Sequence, residues 1–165
     1  MSDLAIRPAA PGDGAALAGL ILPVFRAGET YTIDRDIPEE AAVAYWTAPD
    51  KTVFVAEDEA GRALGTYYIR PNQQGGGAHV CNCGFVTAAE AQGKGVARAM
   101  LAHSLDQARA QGYRAMQFNF VVETNTRAIA IWQQAGFEVV GRLPGAFHHP
   151  AEGYVDALVM YRSFL

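Results

Sequence analysis

The order in which strand-forming and helix-forming segments follow one another, βααβββαβαββ, predicts an α/β fold with a mixed sheet between about four helices. Two observations carry this. Short β-rich runs cluster in the middle and at the end of the chain, alternating with segments whose apolar residues recur at helical spacing. Gly and Pro mark the boundaries, with no internal repeat, low-complexity tract or long polar linker. At 165 residues the chain is long enough for one compact core and short for two, so a single domain over residues 1–165 is expected.

Leu4 to Arg7 reads as a short first strand closed by Pro8. From Gly12 to Ala27 the residues Leu17, Leu20, Ile21, Val24 and Phe25 recur at helical spacing, with Asp13 as the cap. A second helix runs from Pro38, at the favoured first helical position, to about Trp46, and the segment between, Gly28 to Asp36, is too polar for core. Thr52 to Glu57 and Ala63 to Arg70 are β-rich runs separated by Asp58 to Arg62, the pattern of a hairpin. Pro71 to Gly77 is a flexible connection, and His79 to Val86 the next strand. A helix from Gly95 to about Gln111 ends at Gly112. Arg114 to Val122 is a strand in which Met116, Phe118 and Phe120 point one way and Gln117, Asn119 and Val121 the other. A helix from Asn125 to Ala135, capped by Thr124 or Asn125, stops at Gly136. Phe137 to Arg142 and Tyr154 to Arg162 close the chain as strands, with Leu143 to Gly153 as a loop between them.

Half of the residues are hydrophobic and 18% are charged, the balance of an ordinary globular protein. The N-terminus has no basic run followed by an apolar stretch, and nowhere do about 18 apolar residues occur in succession, so neither a signal peptide nor a membrane span is expected. The formal charge of −4 is spread along the chain without a Lys/Arg cluster, which argues against nucleic acid as a partner. Cys81 and Cys83, two apart on one strand face, suit neither an ordinary disulfide nor a four-ligand zinc site, and a reducing, cytoplasmic setting follows. Adjacent His148 and His149, in the loop after Pro144, lack convergent carboxylates, so no metal is expected.

The most informative segment is Gln92-Gly93-Lys94-Gly95-Val96-Ala97, between a strand and a helix. A strand passing through glycines into a helix leaves backbone N–H groups unpaired at the positive end of the helix dipole, which makes an anion site. Gly93 and Gly95 have no Cβ to block a phosphate, and Lys94 adds positive charge. A P-loop needs a hydroxyl after its lysine, whereas Lys94 is followed by Gly95. A dinucleotide fingerprint fails because Arg98 holds the last glycine position. What remains is the pattern QxxGxA, met by Gln92, Gly95 and Ala97.

That pattern resembles the signature of the GCN5-related N-acetyltransferases (GNAT), whose helix N-terminus cradles the pyrophosphate of acetyl-CoA. The family's next motif, an asparagine, a helix, an aromatic residue and Gly-Phe, is matched by Asn125, Ala128-Ile129, Trp132 and Gly136-Phe137. The resemblance spans essentially the whole chain, with specific motifs confined to about residues 80–141, and implies a mostly antiparallel sheet of seven strands. The strings Cys81 to Phe85 and Phe118 to Asn125 are also similar to the branch that includes fungal acetyltransferases of proline analogues.

By this resemblance the fourth and fifth strands splay apart. Freed backbone groups at about Phe85 and Val86 bond the pantetheine arm and polarise the thioester, while Asn125 contacts the cofactor from the following helix. The amine must be neutral to attack; a lysine-like nitrogen with a pKa near 10 needs about 3 units, roughly 4 kcal/mol, at pH 7. Relatives often place a carboxylate on the fourth strand, where this chain has His79, Cys81, Asn82 and Cys83. His79, Glu29 on the loop between the first two helices, and Glu123 beside the cofactor motif are the candidate bases. Trp132 stands where the family often has a tyrosine acid; an indole donates no proton at useful pKa, so Trp132 reads as packed on the core or the cofactor, with Tyr154 and Tyr31 as substitute acids. Asn82 and Asn119 flank the splayed site and read either as groups that bind the substrate's carboxylate or amine, Asn82 at the reacting centre, or as satisfied structural amides. Glu29 and Tyr31 complete the substrate set.

The expectation is therefore a cytoplasmic N-acetyltransferase acting on a small amine or amino-acid-like molecule by direct attack in a ternary complex. The alternatives are acetylation of a protein N-terminus or lysine, and a non-catalytic acyl-CoA-binding module. The fold analogy allows a homodimer.

Overall fold

The computed structural model describes residues 3–165; Met1 and Ser2, which open the N-terminal segment considered above, lie outside the described residues. The chain runs β1 (Ala5–Pro8), α1 (Gly14–Ala27), α2 (Glu39–Trp46), β2 (Thr52–Glu57), β3 (Ala63–Pro71), β4 (Val80–Thr87), α3 (Val96–Ala110), β5 (Ala115–Val122), α4 (Thr126–Gln134), β6 (Glu138–His149) and β7 (Gly153–Ser163), the order the sequence predicts. The strands form one seven-stranded sheet in the order β1-β2-β3-β4-β5-β7-β6. Every pairing is antiparallel except β4 with β5.

Helices cover both faces, and two consecutive tyrosines of β3 show why. Side chains alternate along a strand. Tyr68 packs edge-on against Trp46 of α2, with ring centroids 4.8 Å apart, while Tyr67 meets His103 of α3 through its hydroxyl at 2.6 Å from Nδ1. Trp46 is fully buried, and its indole N–H donates to Thr66 Oγ1 at 3.1 Å; that hydroxyl donates in turn to the Phe54 carbonyl at 2.7 Å. Helix α1 buries Leu17, Leu20, Ile21 and Phe25 on one stripe and ends at Gly28, whose φ of 66° is the left-handed conformation suited to a helix end.

Some boundaries differ from the sequence expectations for identifiable reasons. Pro38 is the N-cap of α2, with extended ψ of 148°, and the helix begins at Glu39. Asp13 occupies the N-cap position of α1, as expected, but its side chain makes no capping bond to that helix. Its carboxylate accepts the Ala10 N–H at 2.6 Å and both Arg7 Nη atoms at 2.8 and 2.9 Å, closing the 3-10 turn Pro11–Asp13 onto β1. The Arg7 guanidinium, then the Ala10 amide, hold the Asp13 pKa down at about 2. A depressed carboxylate pKa contributes stability that is complete above the unfolded value near 4 and is lost as pH falls through 2. Asp13→Asn is expected to lower stability at pH 7 by about 1 kcal/mol, with a smaller difference from the native chain at pH 3, as read by urea unfolding at the two pH values.

Two irregularities of pairing were hidden from the sequence. Phe118 pairs with Met160 but Val121 with Leu158, so β5 carries one extra residue, a β-bulge. The bulge reverses the alternation: Val121 joins Phe118 in the main core, and Phe120 turns to the small cluster of Val122, Phe147 and Val155. The segment from Leu143 is strand rather than loop. It stays paired with β7 up to His149↔Gly153, passing a second irregularity between Leu143 and Phe147 where the Gly145 N–H donates to the Asp156 carboxylate at 2.8 Å.

Candidate active site

Strands β4 and β5 pair only through Val80↔Ala115 and Cys81↔Met116 and then diverge. The site is built on that divergence. Three aromatic side chains meet beside the divergence: Trp132 of α4 packs with its ring centroid 5.1 Å from Phe85 of β4 and 4.9 Å from Phe118 of β5. At the point of separation the Asn82 amide N–H donates to the Gln117 carbonyl at 3.0 Å, supplying β5 with the partner the ladder no longer offers. Asn82 Oδ1 accepts from Arg70 Nε at 3.3 Å. Beyond this point lies a cleft of ≈ 1410 Å³.

Which backbone groups of β4 face the cleft follows from the pairing. The Val80 carbonyl accepts from Asn72 and the Ala88 N–H donates to Leu64, both on the β3 side; the His79 carbonyl accepts from Arg114 on the β5 side. A strand residue directs its N–H and C=O to the same side, alternating along the chain. Even-numbered β4 residues are thus spent on β3, and Cys83, Phe85 and Thr87 present their backbone groups to the cleft. The Phe85 carbonyl accepts the Tyr31 hydroxyl at 3.0 Å, which leaves the Phe85 N–H as the free donor. Val86, expected beside Phe85 as a source of freed groups, lines the cleft with its backbone in the ladder opposite Thr66.

From β4 the chain passes through the 3-10 turn Ala89–Ala91 into Gly93 and Gly95, with φ of 76° and 84°. The Lys94 N–H turns back to Ala91 and the first α3 bond runs from Ala99 to Gly95. The amides of Gly93, Gly95, Val96, Ala97 and Arg98 have no backbone acceptor among the described residues, and no side chain caps α3. Val96 is buried in the core and anchors the helix; Gln92, Gly93, Lys94 and Gly95 are exposed. Arg127, in the first turn of α4, reaches over: its Nη1 donates to Gln92 Oε1 at 3.3 Å, and its Nη2 lies 3.8 Å from where a Cβ on Gly93 would stand. An anion cradle and a freed strand edge in one cleft fit a long phosphate-bearing thioester.

The predicted residues divide. Asn125 occupies the N-cap of α4 and lines the cleft, as do Glu29, Tyr31, Asn82, Asn119 and Trp132. Asn119 is exposed and engaged with Gln117 and with Asn72, at 2.9 and 2.7 Å. His79 lies one residue before β4, exposed and outside the cleft. Glu123 is also outside, bonded at 2.9 Å to Arg142, which holds Asp156 at 2.8 Å. The Tyr31 hydroxyl, offered above as a substitute acid, donates to the Phe85 carbonyl, and burial holds its pKa well above the usual tyrosine value. Tyr154 is 75% exposed and stacked on His148, away from the cleft.

Sequence reasoning missed Arg127 and Arg70. An arginine in the first turn of a helix opposes the dipole, and that misplacement was the available signal for Arg127. Arg70, partly exposed and 3.7 Å from Asp50, gained its place only through the pairing of β3 with β4. Beside it the Lys51 ammonium sits over the Tyr45 ring at 4.4 Å, its pKa lowered by burial. Among the described residues no group of His, Cys, Asp and Glu is arranged to hold a metal ion, and no helix is long and apolar enough to cross a membrane.

Comparison with known proteins agrees with this geometry. The chain is similar to a GCN5-related N-acetyltransferase from Kribbella flavida, 43% identical with a TM-score of 0.92, over 97% of each chain. It is similar to a GNAT superfamily phosphinothricin acetyltransferase from Sinorhizobium meliloti solved in complex with AcCoA, 22% identical with a TM-score of 0.85, over 99% of this chain and 89% of that one. The N-acetyltransferase aca1 of Schizosaccharomyces pombe is 29% identical over 153 residues, covering 83% of this chain and 73% of the relative. The family model described as Acetyltransferase (GNAT) family matches residues 22–137, so the chain belongs to that family and is an acetyl-CoA-dependent acetyltransferase.

Proposed function

We propose that the acceptor is a small, amino-acid-like amine, acetylated by direct attack in a ternary complex. The observation that carries this reading is the bond from Tyr31 to the Phe85 carbonyl. Tyr31 also packs on Phe25 and Trp46, with centroids 5.4 and 6.0 Å away, so the loop between α1 and α2 is pinned to the strand edge where a peptide substrate would need an open groove.

In this reading the free amides of Gly93 and of Gly95 to Arg98, with the Lys94 and Arg127 side chains, hold the pyrophosphate, Asn125 contacts the cofactor, and Trp132 with Phe85 walls the thioester. The Phe85 N–H donates to the carbonyl oxygen as it gains charge; removing a comparable donor costs roughly 3–4 kcal/mol in other enzymes. Glu29, exposed on the loop and lining the cleft, receives the proton released as the nitrogen bonds to the acetyl carbon and the C–S bond breaks. The leaving thiolate, with an ordinary pKa near 8.5, takes its proton from water. Asn82, with both amide atoms engaged between Gln117 and Arg70, holds the splay in shape beside the acceptor.

The test is thiol release from acetyl-CoA across free amino acids, simple amines, and peptides bearing either a free N-terminus or lysine. Release is expected with amino acids and amines; turnover confined to peptides overturns the reading.

A further inference from the structure

We propose that His149 selects the acceptor, its ring N–H recognising an oxygen on the carbon next to the amine-bearing carbon, so that a free α-amino acid is preferred over a simple amine; this rests on the small-acceptor reading above. His149 belongs to a side pocket of ≈ 320 Å³ formed with Glu29, Thr30, Thr124, Asn125 and Glu152. Glu29, Thr30 and Asn125 also line the main cleft, so the two spaces adjoin. Every lining residue is polar or charged, which suits the charged or hydrogen-bonding end of a ligand.

The two exposed carboxylates do not define a ligand by themselves; His149 does. It is only 9% exposed, at the end of β6, where the chain turns into β7. Its Nδ1 accepts the N–H groups of both Ala151 and Glu152, each at 3.1 Å. A nitrogen that accepts two donors carries no proton, so the neutral ring has its hydrogen on Nε2. No protein group bonds Nε2, and no buried side-chain nitrogen or oxygen among the described residues is sealed away without a partner, so Nε2 is open to solvent on a residue that lines the pocket.

The result is a donor of fixed tautomer. Its complement is an oxygen acceptor, while Glu29 in the same pocket accepts from the amine. A free amino acid offers both groups on adjacent carbons. The donor then reads a carboxylate, and an amide carbonyl presents the same kind of oxygen.

The test uses the full chain and His149→Asn. Asparagine Oδ1 takes the place of Nδ1 and can keep the turn, while the Nε2 donor disappears. Steady-state kinetics are measured with the amino acid that gives the greatest thiol release, its primary amide, and the amine with hydrogen in place of its carboxylate. For H149N, KM for the amino acid is expected to rise roughly 10- to 100-fold, the range for a hydrogen bond to a charged group, with kcat within about 3-fold and KM for the simple amine unchanged. An equal rise for the primary amide assigns the contact to a carbonyl oxygen and also supports the proposal.

Equal losses for all three acceptors, or none, overturn it. Turnover of simple amines without amino acids overturns it while leaving the small-acceptor reading standing; no small-molecule turnover overturns both. Nitrogen NMR of the native histidine ring tests the proposal independently of how the variant folds. The Nε2–H tautomer is expected, shifting on saturation with the amino acid and not with the simple amine; the opposite tautomer, or no shift, overturns the proposal.

Discussion

Gly95→Val is expected to weaken acetyl-CoA binding by at least 100-fold while leaving the chain folded. Gly95 has φ of 84° at the N-cap of α3, where an L side chain adds about 1–2 kcal/mol of strain. A Cβ there meets nothing within 4 Å, so no packed neighbour must move. For a chain of this length the strain corresponds to a fall of roughly 2–8 °C in Tm. The loss in binding is larger because Gly95 stands at the head of the uncapped amides of the first α3 turn, proposed here to hold the pyrophosphate, and a branched side chain takes up the open space beside it. Each hydrogen bond from an amide to a charged phosphate contributes about 1.5–3 kcal/mol, so two displaced bonds suffice. Calorimetric titration with acetyl-CoA and thermal unfolding measure the two effects separately; native affinity in this variant sinks the cradle assignment.

The largest effect on folding is expected from Gly84→Ala. A Cβ on Gly84 would stand 2.5 Å from Tyr68 Cε2, 2.7 Å from Cζ and 2.9 Å from the hydroxyl oxygen. The ring is confined: it is buried, edge-on to Trp46, with Lys51 Nζ 5.3 Å from its centroid. Overpacking of this kind costs about 3 kcal/mol, a fall of roughly 6–12 °C in Tm for a chain of this size. Combining G84A with Tyr68→Leu is expected to recover part of the loss by removing the obstructing ring edge. An unchanged melting temperature in the single variant contradicts the close approach. Tyr68 lines the cleft, so any ring shift the variant does force also narrows the acceptor end.

The element order was legible because helical spacing, β-rich runs and Gly/Pro boundaries are local signals. The turn proposed to cradle the phosphate was legible for the same reason, since Gln92 to Ala97 is one contiguous segment. What escaped depends on partners far along the chain. Tyr31 was offered as an acid, yet its hydroxyl is claimed by a carbonyl 54 residues away. Glu123 looked well placed beside Asn125, but Arg142, 19 residues on, holds it out of the cleft. Pro144 and Gly145 read as loop, whereas the Asp156 carboxylate keeps Gly145 at the edge of β7. The parity of β4, which separates Phe85 from Val86, emerges only once β3 and β5 are paired with it.

The splayed edge of β4 is also a hazard. A strand with unpaired N–H and C=O groups is a template for any other strand, and most folds cover or close such edges. Here the backbone groups of Cys83, Phe85 and Thr87 remain uncovered by β5 in the folded chain. Trp132 packs against Phe118 and Phe85 at the divergence, the Tyr31 hydroxyl occupies the Phe85 carbonyl, and the Asn82 amide ends the ladder at Gln117. The contacts that shape the cleft thereby guard the chain against joining its neighbours edge to edge, and loosening any of them would expose the protein to aggregation as well as disturb its chemistry.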